Sequence, residues 1–128
     1  MTLQMYTVHM GGLFVTEYAN FPPEDQGKIN SFIERYQKSG FDELLGKNVP
    51  SCNVPHDDRE FVKKVRYAQK HKLWHYHIGI PDYSLSECKT YKTSEYVLHY
   101  QKLSFNEIKI VDFGYHPPLS LPTESYFN

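Results

Sequence analysis

Apolar and polar positions recur along this chain with two periods, one of a strand and one of a helix. Leu3 to His9 is short, rich in Val, Thr and Tyr, and runs into Gly11-Gly12, the pattern of a strand closed by a turn. A helical period follows. Phe21-Pro22-Pro23-Glu24-Asp25 places prolines and acids where a helix N-terminus favours them, and Ile29, Phe32, Ile33 and Tyr36 recur at i, i+3, i+4 and i+7. Lys38 and Gly40 supply the stop. Phe41 to Gly46 reads as a short helical turn, and Lys47 to Pro55, with Pro50, Ser51, Asn53 and Pro55, has a loop composition. Asp57-Asp58 can cap a second helix whose Phe61, Val62 and Val65 turn inward and whose Lys63, Lys64 and Arg66 turn outward; a strand starting near Val65 is the rival reading.

The strictest alternation is Leu73 to Ile80, where Trp74, Tyr76, Ile78 and Ile80 point one way and His75 and His77 the other. Pro81 to Thr93 has a loop composition. Glu95 to Lys102 and Glu107 to Phe113 form two more strands, joined by Leu103-Ser104-Phe105-Asn106, a hairpin-length connection. Pro117 to Asn128, with three prolines, is a tail that wraps or frays. No repeat, low-complexity tract or linker divides the chain, so the order predicts one α+β domain over residues 1–128, with helices layered on one face of an antiparallel sheet. On that arrangement His75 and His77 lie on the opposite, exposed face.

Composition narrows the functional classes. With 14 Lys and Arg against 15 Asp and Glu the formal charge is -1, which argues against coating nucleic acid by bulk positive charge. The mean hides a polarity, because residues 1–58 hold 4 basic and 8 acidic side chains and residues 59–128 hold 10 and 7. An anionic partner is expected at the second half. Two cysteines, Cys52 and Cys88, are too few for a disulfide framework, and no basic and apolar leader opens the chain, so a reduced cytoplasmic protein is expected. No apolar run approaches the roughly 20 residues that span a bilayer. Aromatic residues, at 16%, belong mostly to a core, with base stacking as the sharper alternative.

Histidine is the residue type that could carry chemistry. His99 joins His75 and His77 if it shares their face of the neighbouring strand, and His116 follows the last strand in Phe113-Gly114-Tyr115-His116. Imidazole titrates near neutrality, so one ring can take a proton and another give one, as cleavage of RNA by its own 2′-hydroxyl requires, without a metal or cofactor. Arg59, Lys63, Lys64, Arg66, Lys70 and Lys72 precede the pair, with Glu60 the only acid between residues 59 and 77. A solvated helix face explains that run as well as a site does; its position beside the histidines favours transition-state charge stabilisation. His-x-His can also hold a divalent metal, although no carboxylate third ligand is obvious and no His-Glu-x-x-His, Cys-x-x-Cys or phosphate-cradling glycine motif occurs.

Taken in order, Ser31 to Lys47, the His75-Tyr76-His77-Ile78 strand, Ser94 to Tyr100 and Ile108 to His116 resemble the YafO family of type II toxin-antitoxin toxins, within the wider RelE/ParE superfamily. The resemblance covers residues 13 to 120. It implies a RelE-like fold, a small twisted antiparallel sheet with N-terminal helices on one face, and a ribosome-dependent endoribonuclease that cuts mRNA in the A site. It further implies a cognate antitoxin, no membrane, and no DNA except through the antitoxin complex. His75 and His77 match positions where RelE-like relatives hold basic residues that contact the cleaved RNA. His116, accompanied by Tyr115, matches the polar residue acting on the leaving group and is the candidate general acid. Where such toxins often carry arginine one strand over, this chain has Val97, with His99 two residues on, and Arg66 or Lys72 are candidates to compensate. Lys63, Lys64, Arg66, Lys70, Lys72, His99 and Tyr115 are the expected RNA contacts. The alternatives are a ParE-like toxin that binds gyrase and a His-x-His metal-binding hydrolase.

Overall fold

Helix α2, Pro23–Ser39, forms where the 3.6-residue period predicts it: Pro23 opens the first turn with Glu24 and Asp25, and Gly40 ends it at φ 63° with its N–H on the Tyr36 carbonyl. That positive φ favours glycine, and the ring of Tyr6 fills the space a Cβ would need. A computed structural model describes residues 5–42, 44–80, 82–85, 92–115 and 120–128. Their elements are β1 (Thr7–Met10), α1 (Gly12–Tyr18), α2, β2 (Asn48–Pro50), α3 (Phe61–Lys70), β3 (Leu73–Ile80), β4 (Ser84–Leu85), β5 (Lys92–Thr93), β6 (Tyr96–Ser104), β7 (Glu107–Tyr115) and a 3-10 turn, Glu124–Phe127.

The main sheet has the order β1-β7-β6-β3-β2, and β4 with β5 forms a two-stranded ribbon. The architecture is α+β, but the sheet is mixed rather than antiparallel. Gly11-Gly12 does not turn the chain back into a hairpin; Gly12 starts α1, and β1 is left to pair in parallel with β7, Thr7 opposite Glu107. Three further expectations change. Of the expected helical turn, Leu44 to Gly46 form none, and Glu43 lies outside the described residues. Gly46 bridges onto β3, where an added Cβ would collide with the His77 carbonyl oxygen. The expected Lys47 to Pro55 loop contains edge strand β2, paired with β3 from Asn48 opposite Tyr76 to Pro50 opposite Trp74; an edge position tolerates Pro50. The hairpin between β6 and β7 is also tighter than expected, with only Phe105 and Asn106 between the strands.

Both faces of the sheet are covered. On one, Tyr76, Ile78, Ile80, Leu98, Tyr100, Ile108 and Ile110 pack with Phe14 of α1 and Ile29, Phe32 and Tyr36 of α2. Phe32 stacks on Tyr76 at 4.9 Å between ring centroids. Each such side chain withdrawn from water contributes about 2 kcal/mol. On the other face, α3 and residues 120–128 close over Leu73 and Val111 through Ala68, Tyr67, Leu121, Tyr126 and Phe127. The tail is tied down there: the Tyr67 hydroxyl donates to the Pro122 carbonyl (2.6 Å), the Tyr126 hydroxyl to Glu17 Oε1 (2.6 Å), and Lys109 Nζ to the Phe127 carbonyl. Helices thus flank both faces, where one helical layer was expected.

Candidate functional site

The alternation in β3 holds, and it brings three imidazoles together. His75 and His77 project from β3 on the face opposite the aromatic core, and His99 of β6 is the direct cross-strand partner of His75. Ring centroids are 6.0 Å apart for His75 and His77 and 6.2 Å for His75 and His99. The face is not open, contrary to expectation. His75 and His77 are each 4% exposed and His99 1%. Gly114, across from Val97 on β7, leaves room beside His99 Nε2.

Each histidine of β3 is oriented by a serine from outside that strand. Ser51, 1% exposed and just past β2, sets Oγ 2.9 Å from His75 Nδ1. Ser94 holds His77 with its backbone: its N–H lies 3.0 Å and its carbonyl oxygen 2.9 Å from Nδ1. A neutral ring with a bare Nδ1 accepts the N–H, whereas a ring protonated there donates to the carbonyl, so the same residue can receive either form. The Ser94 hydroxyl accepts the Gly79 N–H and donates to the Tyr96 carbonyl, pinning the bulge where β3 shifts register against β6. Gly79 has φ 85° at that bulge. The signal for both serines was weak, since Ser51 sits in a stretch of loop composition and Ser94 falls between an expected loop and an expected strand.

The expected RNA contacts divide into three groups. Lys63, Arg66, Lys70 and Lys72 are exposed on or just after α3. Lys64 is partly buried and donates to Asp58 Oδ2 at 2.6 Å, and this bond holds the Asp58 carboxyl below its ordinary value. Asp58 is not the helix cap expected of it, since Glu60 holds that position without a side-chain cap bond; Asp58 Oδ1 instead accepts the Glu60 N–H in the turn before α3, and Lys64 is committed to that turn. His99 belongs to the buried row rather than the surface, and Tyr115 lies half exposed at the end of β7, edge-on to Tyr96. The candidate general acid, His116, lies outside the described residues, as does Cys88.

Asp112, cross-strand partner of His99, is pushed up to about 6 by burial, with Glu17 adding to the shift. Its Oδ1 accepts the Phe113 N–H. Among the described residues, no three His, Cys, Asp or Glu side chains converge as a metal-ligand set, and no helix is long and apolar enough to cross a membrane. No family model, curated protein or solved structure matches the chain.

Proposed function

We propose that this chain is the toxin of a type II toxin-antitoxin system, a YafO-like endoribonuclease that cuts mRNA on the ribosome and is held in check by a cognate antitoxin in the cytoplasm. The observation that carries the reading is the row of three imidazoles on two adjacent central strands, His75, His77 and His99, about 6 Å between neighbours, with His75 oriented by Ser51 and His77 by Ser94. Imidazoles placed side by side, two of them held at Nδ1, are what general acid-base cleavage of RNA needs.

In that reaction the 2′-hydroxyl loses its proton to a base and its oxygen bonds to the adjacent phosphorus; the bond to the 5′-oxygen breaks, and an acid protonates that leaving oxygen. The products are a 2′,3′-cyclic phosphate and a 5′-hydroxyl, with no redox change. His75 or His77 is the proposed base or phosphate ligand, and His116 the proposed acid by its place after the last strand. The basic residues of α3 and Lys72 are proposed to grip RNA backbone. Because the row is buried, the reading requires its cover to move when the ribosome presents RNA.

Brief induction in cells, followed by mapping of mRNA 5′ ends, tests it. New 5′-hydroxyl ends within translated codons, and growth arrest relieved by His75→Ala or His77→Ala, are expected; wild-type toxicity in the double variant would sink the assignment. The burial of the row favours one second reading, a toxin of the same class that acts by binding gyrase. Plasmid relaxation without mRNA cleavage, indifferent to the histidines, would identify it.

A further inference from the structure

On the outer side of α3 runs a shallow groove of about 900 Å³, lined by Arg59, Lys63, Arg66 and Lys70 and, at its N-terminal end, by His56, Phe61 and Val62. Lys63, Arg66 and Lys70 follow a stripe along α3, at i, i+3 and i+7 and about 10 Å long, and Arg59 stands in the turn just before the helix. None of them forms a salt bridge among the described residues, while Asp58 at the groove's edge is already neutralised by Lys64. Glu60 is the one acid left to oppose them. At the end of the stripe the exposed ring of His56 lies on Phe61, 5.1 Å between centroids and 27° between planes, beside Val62, which is 57% exposed. Apolar and aromatic groups placed in water beside unpaired cations do nothing for the core that α3 helps to close.

We infer that this groove is a subsite for single-stranded RNA, with backbone phosphates along Arg59, Lys63, Arg66 and Lys70 and one unstacked base laid on the His56-Phe61 ledge. The choice of RNA rests on the proposed endoribonuclease function; the choice of single strand rests on the ledge, because a base inside a duplex has no free face to offer. The groove lies apart from the histidine row, so it serves to hold the strand and set which nucleotide is engaged. It takes no part in the bond-breaking step.

Fluorescence anisotropy of the full chain with a labelled 2′-O-methyl octanucleotide tests the inference, since that strand cannot undergo internal attack and reports binding alone. His56→Ala, at an exposed position, is expected to weaken binding about 10-fold on the base-bearing strand and hardly at all on an abasic strand of the same length. Arg66→Gln is expected to weaken both strands alike and to lower the slope of log affinity against log salt by about 0.7. Equal binding by wild type and His56→Ala, equal affinity for duplex RNA, or displacement of the strand by an oligoglutamate peptide at equal concentration would each overturn the subsite, the last by making it a surface for an acidic protein. His75→Ala separates the two proposals. Base-dependent binding without cleavage by any variant leaves the groove standing and removes the nuclease; cleavage by wild type with His56 immaterial to binding does the reverse.

Discussion

The two faces of the sheet are buried to a similar depth and built from different materials. Under α1 and α2, Leu98, Ile108 and Ile110 are fully buried among stacked rings and need only apolar neighbours. On the opposite face the same strands bury His75, His77 and His99, whose nitrogens must be met by hydrogen bonds. A buried polar group left unmet costs about 1–3 kcal/mol, so the second face is stable only while Ser51 and Ser94 keep their places. One face holds the fold together, and the other holds the histidines proposed to do chemistry.

That division can be broken by substitution. Leu98→Ala on the apolar face is expected to cost about 3 kcal/mol, read as a lower urea midpoint with an unchanged slope; a loss below 1 kcal/mol would mean that face is not the main source of stability. His77→Gln on the other face is expected to keep the midpoint within about 1 kcal/mol, because Gln can still bond to Ser94, while mRNA cleavage falls about 100-fold. Parallel loss of stability and cleavage would erase the distinction between the faces.

Asp112 sharpens the contrast through pH. Its folded value of about 6 lies above the ordinary 3.8, so the fold favours the protonated carboxyl. Its stabilising effect is therefore complete below pH 4 and lost as pH rises to about 6. Solvent contact limits that loss to about 1 kcal/mol, and Asp112→Asn should flatten the pH 4–6 stability profile by that amount. The smallest effect is expected for Tyr126→Phe, which removes the bond to Glu17 and should lower stability by about 1 kcal/mol or less. A larger fall would make the tail a main support of the histidine face.

What could be read from the sequence depended on how local its cause was. Helices α2 and α3 and strand β3 were legible because periodicity, caps and stop signals lie within each segment. β3 matches Leu73–Ile80 residue for residue. Strand β2 was hidden by Pro50, which forbids a central strand but not an edge, and α1 by a glycine pair that reads more readily as a turn. The parallel pairing of β1 with β7 has no local signature at all. For the site, the grouping of His75, His77 and His99 followed from alternation, whereas their burial did not, since it depends on cover from distant segments. The apolar residues Leu121, Tyr126 and Phe127 were the available sign that the tail packs. Ser51 and Ser94 act through register, which composition does not encode.

The pairing of Thr7 with Glu107 sets an order of events during synthesis. The hydrogen-bonding partner of β1 does not exist until about a hundred residues after β1 is made, so β1 has to wait for the strand that completes the sheet. Contacts of such sequence separation slow folding. An emerging chain can form α2 and α3 early, but its five-stranded sheet closes only after β7 has left the ribosomal tunnel. For a protein proposed to cut mRNA on the ribosome, that delay keeps the sheet that carries the site incomplete on the ribosome that is making it.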